Sequence, residues 1–161
     1  MRTAFALCCA LIITGCASYR LGGPKLAFRT IEVAPIRNST PRPGTHAALQ
    51  GKIVEALSSD PRVKIGPGDA RLDIEVTQYH RDGFTTKTGD AYTYTSYRSS
   101  FTVRCTLSAD NGRRMLFKDR EFSSIATLQT SGDAAAEELS LGPTLFADIA
   151  AQIREAATTA W

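Results

Sequence analysis

Histidine and tryptophan are nearly absent from this chain, with two histidines and one tryptophan in 161 residues. His46 stands near a helix start and His80 at a strand end. Neither has a second His, Cys or carboxylate at metal-ligand spacing, so both read as surface residues and no metal is expected. A phosphate-cradling loop is missing too: Gly66-Pro67-Gly68 lacks the third glycine and the lysine, and its proline removes one of the N–H donors such a loop needs. That segment reads as a turn. The serines and threonines between 93 and 100 have no G-x-S-x-G around them. Glu137 and Glu138 are adjacent, which on a helix sets them about 100° apart, poor geometry for a shared acid–base pair. No catalytic residue and no cofactor are therefore expected, and the chain does not read as an enzyme. Charge of one sign is not in excess either: 19 Lys and Arg against 16 Asp and Glu give a formal net charge of +3, too mild to call for nucleic acid.

Long hydrophobic runs are also lacking. The longest, Ala4 to Ile13, is about half of the roughly 20 apolar residues that a bilayer-spanning helix needs. Preceded by Met1-Arg2-Thr3 with its one positive charge, it has the form of a secretion signal. Ile13-Thr14-Gly15 before Cys16 has the pattern of a bacterial lipobox, which predicts cleavage before Cys16 and acylation of that residue. Several acyl chains, each CH2 contributing about 0.8 kcal/mol of burial, make a lasting membrane anchor. Ala17 follows the cysteine, with no Asp to hold the protein at the inner membrane, so the expected location is the periplasmic face of the outer membrane. The expected division is a signal peptide over 1–15, an acylated anchor and tether over 16–26, and one α+β domain over 27–161.

Cysteine usage agrees. Cys8 and Cys9 leave with the signal and Cys16 is acylated, so Cys105 has no partner for an internal disulfide. It lies in the alternation Phe101, Val103, Cys105, Leu107 and reads as a small buried hydrophobe rather than a nucleophile.

What the chain does contain is alternating and helical periodicity. Phe28 to Ile36 reads as a strand, ended by Pro35 and the turn-forming Asn38-Ser39-Thr40-Pro41-Arg42-Pro43-Gly44. From Thr45, the expected N-cap, Leu49, Ile53 and Leu57 recur every four residues as a helix stripe that stops at Asp60-Pro61. Val63 and Ile65 suggest a short strand. Ala70 to Tyr79 alternates strictly, with Leu72, Ile74 and Val76 against Arg71, Asp73, Glu75 and Thr77, the pattern of a sheet covered on one face. His80 to Ala91 reads as a polar loop, Tyr92 to Ala109 as a long strand, Asp110-Asn111-Gly112 as a hairpin turn, and Arg114 to Ala126 as the return strand. A helical section closes the chain, with Gly142-Pro143 as a kink or restart and Leu145, Ile149 and Ile153 as its stripe. The expected fold is α+β, a two-layer sandwich with a mainly antiparallel sheet of about four strands packed on two helices.

The remaining functional signal is a binding surface. Thr85 to Arg98 interleaves Lys87 and Arg98 with Tyr92, Tyr94 and Tyr97, cations suited to phosphates or sugar acids beside rings that cover acyl or sugar surface. A sheet edge kept soluble by Thr, Ser and Arg would read the same way.

Taken in order, GCASYRLGG, IEVAPIRNST with the following PG, ALQGKIVEAL, DPRVKIGPGDARLDIEVTQY and YRSSFTVRCTLSADNGRRMLF resemble LptE, the LPS-assembly lipoprotein family. The likeness covers nearly the whole chain and rests on the order of the segments. Glu75 stands where the family usually has a glycine, and Thr45-His46 replaces the family's leucine after the Pro-Gly turn. The resemblance implies a lipoprotein that plugs a large outer-membrane barrel of the LptD type, assists its assembly and helps deliver lipopolysaccharide to the outer leaflet. It implies lipopolysaccharide and that barrel as partners, and makes Lys87 the counterpart of the family's glycolipid-contacting cations, with Arg98 beside it. The alternative is a periplasm-facing outer-membrane lipoprotein that binds and regulates a cell-wall synthase.

Overall fold

The computed structural model of the chain describes residues 26–129 and 134–159, with backbone alone for 90–93 and 134–141. The expected signal, Cys16 and most of the tether lie outside the described residues. The elements are β1 (Thr30–Val33), β2 (Arg37–Asn38), α1 (Thr45–Ser58), β3 (Lys64–Ile65), β4 (Ala70–Lys87), β5 (Asp90–Ala109), β6 (Arg114–Gln129) and α2 (Ala134–Thr158). One sheet holds all the described strands in the order β3-β1-β4-β5-β6, with β2 also on β4. The fold is α+β, two helices packed on one face of that sheet, with more strands than the four expected because β2 and β3 are two-residue pieces.

Strict alternation builds the core. Leu72, Ile74 and Val76 of β4 and Phe101, Val103, Cys105 and Leu107 of β5 are almost completely buried. They meet Leu49, Ile53 and Leu57 of α1 and Ile149 and Ile153 of α2, spaced every four residues so that each helix turns one face to the sheet. The opposite sheet face is wet and largely self-compensated in charge: Arg71 pairs with Glu32 (3.5 Å) and Asp73 (3.2 Å), and Arg104 with Glu121 (3.3 Å).

The expected strand over 28–36 divides. Thr30–Val33 pairs in parallel with β3 and β4, and after Pro35, which has no N–H to give a ladder, Arg37–Asn38 pairs with Glu75 and Val76 further along β4. Asn38 still forms its turn, its side-chain oxygen accepting from the Thr40 N–H at 3.0 Å. Thr45 is not the N-cap. Gly44 holds that place at φ 78°, and Thr45 is buried in the first turn, its hydroxyl without a partner among the described residues. The positive φ requires glycine's freedom, so the backbone decides against a side-chain cap. Pro143 lies inside α2, a continuous helix with no restart; the Leu139 carbonyl simply loses its usual N–H donor there.

The largest departure is at His80 to Ala91, expected as a loop. β4 and β5 stay paired from Ala70–Ala109 to Lys87–Asp90, leaving only Thr88-Gly89 as the turn. The β-favouring Thr and Phe of this stretch outweigh its polarity, and register shifts at Val76/Gln78 and between Gly83 and Lys87 absorb the irregular pattern. β4 has 18 residues, so the hairpin is about 55 Å long at the usual rise per residue.

Candidate functional site

The outer half of the β4–β5 hairpin carries the residues singled out above. Arg98 stands opposite Asp82 on the helix-free face and lays its guanidinium 4.4 Å from the centroid of Phe84, a ring 56% exposed. On the helix side Arg81 covers Tyr97 at 4.1 Å, and Tyr97 in turn meets Tyr94 at 5.8 Å. Each stack puts a cation over the electron-rich face of a ring, which holds two long side chains in place on a surface that would otherwise be mobile. Gly83 makes room for this: a Cβ there would lie 2.2 Å from Cε1 of Tyr94. On the helix-free face with Arg98, His80 Nε2 and Asp82 Oδ1 lie 2.9 Å apart.

Lys87 is exposed at the end of β4, beside the turn where Gly89 adopts φ 87°. It and Arg98 therefore belong to one hairpin but do not converge. Arg98 pairs in register with Asp82, five positions before Lys87, so strand rise separates them by about 16 Å. The arrangement is a ladder of cations and rings along an extended arm. Such a ladder suits a long amphipathic anion with several phosphate or carboxylate groups, read by charge-assisted hydrogen bonds and ring faces rather than by a pocket. Tyr92 is part of β5, but its side chain lies outside the described residues, as do Cys16, Glu137 and Glu138.

Arg81 and Phe84 were not singled out by sequence reasoning, because both fall in the stretch that reads as a loop. The signal available was the density of Thr, Tyr and Phe on both sides of Gly89, which favours paired strands.

His46 is exposed on α1. Among the described residues, no three His, Cys, Asp or Glu side chains gather to hold a metal ion. Cys105 is buried in the core, and loss of solvent pushes its thiol up to about 12. A thiol held protonated in this way has no nucleophilic character at neutral pH.

Two further clusters had no sequence signal. Asp60, just past α1, is chelated by Arg62 through Nε (2.9 Å) and Nη2 (2.6 Å) and by the Arg62 N–H (3.0 Å). Those bonds, with Arg154 nearby, hold its carboxyl down at about 2 against the burial that opposes them. Between α2 and the sheet, Arg42 lies 4.5 Å over the Tyr79 ring, beside a narrow recess with Ser99, Phe101 and Phe146. The Tyr79 and Ser99 hydroxyls there are buried and have no hydrogen-bond partner among the described residues.

Among solved structures, a minor lipoprotein from Acinetobacter baumannii is 15% identical with a TM-score of 0.57, covering 81% of this chain and 92% of its own. Uncharacterized lipoprotein B from Nitrosomonas europaea is 16% identical with a TM-score of 0.56, covering 87% and 90%. A Xanthomonas campestris protein is 12% identical with a TM-score of 0.53, covering 84% and 86%. At these identities the likeness establishes the fold. No curated protein matches. The sequence profile of LptE, described as Lipopolysaccharide-assembly, matches residues 28–158, which takes in both helices and the long hairpin. The chain belongs to the LptE lipopolysaccharide-assembly family.

Proposed function

We propose that this protein is an outer-membrane lipoprotein, acylated at Cys16 and tethered by residues 16–26, whose domain over 27–161 serves as a non-enzymatic subunit of the lipopolysaccharide translocon. It occupies and helps assemble a barrel of the LptD type and offers Lys87 and Arg98 to the glycolipid on its way to the outer leaflet. Family membership supports the assembly role. The observation that carries the finer reading is the hairpin. β1 runs parallel to β4, so the end of the domain nearest the tether lies at the Ala70 end, and the Lys87 tip is about 55 Å away. The hydrocarbon core of a bilayer is about 30 Å thick. An arm of that length, standing in a water-filled barrel lumen and anchored at the inner leaflet, reaches the outer leaflet with its cations and rings. Its polar surface suits such a lumen, whose lining is itself polar.

Depletion of the protein should reduce surface lipopolysaccharide, and the protein should co-purify from detergent extracts with a large β-barrel. Charge reversal at Lys87 and Arg98 should weaken lipopolysaccharide binding while leaving the barrel complex intact. Normal lipopolysaccharide export with altered cell-wall synthesis on depletion would overturn this reading. That result would favour instead a regulator that binds a cell-wall synthase through the helix-free sheet face.

A further inference from the structure

We propose that the outer edge of β6 between Glu121 and Gln129 pairs with the same edge of a second copy of this chain, antiparallel and centred on Ile125. β6 ends the sheet, and among the described residues no strand lies on its outer side. An unpaired edge is a template for another strand, and proteins blunt such edges with charge and irregularity. In β6 these devices are confined to one half. Residues 114–121 carry Arg114, Lys118, Asp119, Arg120 and Glu121, with Asp119 at φ 50° and a register shift against β5. Residues 122–129, Phe122-Ser123-Ser124-Ile125-Ala126-Thr127-Leu128-Gln129, have no charge, no proline and no glycine, and pair with β5 without a break.

The direction of the backbone groups follows from two side chains. The Ser123 carbonyl accepts from Gln152 Nε2 of α2 at 3.0 Å, so it points away from β5. Its partner Thr102 turns its own carbonyl toward β4, where the Thr77 hydroxyl donates to it at 3.4 Å. Backbone groups alternate along a strand, so Ile125 and Thr127 also present their N–H and C=O outward. Ile125 is 63% exposed, more than any other large hydrophobic side chain described.

The segment is complementary to itself. Centred on Ile125, an antiparallel pair sets Ile125 against Ile125, Ser123 against Thr127, Phe122 against Leu128 and Glu121 against Gln129. No like charges meet. A slip of four residues one way sets Glu121 against Ile125, and a slip of eight sets Glu121 against its own copy, which is destabilising. α2 permits the approach. Gln152 of α2 reaches the edge at the Ser123 carbonyl, while further toward the start of the helix Phe146 packs 5.1 Å from Phe101 of β5. In an antiparallel pair these helix contacts fall at opposite ends of the joined segment. The pairing is short beside a standard stable interface, so the dimer is weak and concentration-dependent. It stands independently of the lipopolysaccharide reading.

Sedimentation of the full-length lipoprotein in detergent across a concentration series should show a monomer–dimer equilibrium. Ile125→Pro removes an outward N–H without touching the β5 ladder, and Ile125→Lys places a charge on the edge. Each should weaken association at least about tenfold, while Thr102→Lys, on the same face but an interior strand, should not. Ile125→Cys should give a disulfide-linked dimer on mild oxidation, and Met115→Cys, exposed in the charged half, should not. Circular dichroism checks that each variant is folded; should Ile125→Pro unfold, Ile125→Lys decides. A folded protein that stays monomeric at every concentration, or a dimer indifferent to both Ile125 substitutions, overturns the proposal.

Discussion

The Arg98 guanidinium rests 4.4 Å from the centre of the Phe84 ring, across the β4–β5 pair and on the face the helices leave bare. The contact is exposed, so it positions the cation more than it stabilises the domain, contributing about 0.5–1 kcal/mol. Arg98→Ala should therefore shift thermal unfolding only slightly while weakening binding of lipopolysaccharide several-fold. Arg98→Lys, which keeps the charge but not the planar stack, should fall between. Calorimetric titration with purified lipopolysaccharide, beside melting curves, checks both.

Asp60 gives a test in acid. Arg62 holds its carboxyl at about 2, below the value near 3.9 of an unfolded chain. A carboxyl with a depressed folded pKa contributes stability that is fully present above the unfolded value and is lost as pH falls through the folded one. The acid limb of stability should thus include a contribution that disappears between about pH 4 and 2. In Asp60→Asn that part of the limb should flatten, which thermal melts at stepped pH would reveal.

Cys105 is a reporter of unfolding. Its thiol, raised to about 12 by burial, stays protonated and sealed in the native protein. In the protein acylated at Cys16 as proposed, a chromogenic disulfide reagent at pH 8 should label Cys105 only as fast as the core opens, and a core substitution such as Ile53→Ala should speed labelling. That substitution typically costs 2–5 kcal/mol. Rapid labelling of the native protein would contradict the buried placement.

The helices and the inner strands were legible in the sequence because each carries a period. Leu49, Ile53 and Leu57 could only form a helix stripe, and Leu72, Ile74 and Val76 only one face of a strand. Asp110-Asn111-Gly112 announced its turn, and takes positive φ at all three residues. Polarity misled at His80 to Ala91. There the outer hairpin extends past the core, so its residues lack an apolar face to advertise and are held by cross-strand pairs and stacked rings. Lys87 and Arg98 could be singled out as cations among tyrosines, but their separation along an arm could not be read without knowing that the arm is paired to its tip.

What the residues determined alone is local: the lipobox pattern at Cys16, the periods of α1, β4 and β5, the burial of Cys105, and a family resemblance carried by the order of segments. These depend on spacing within a few residues, or on matching them in sequence. The tertiary structure decided what depends on distant partners. It placed β1 and β2 on successive stretches of β4, buried Thr45 behind a Gly44 cap, set Arg98 on Phe84, and left β6 at the edge with its charges gathered in one half. Strand order and cross-strand register bring together residues far apart in the chain, and no local period encodes which edge remains unpaired.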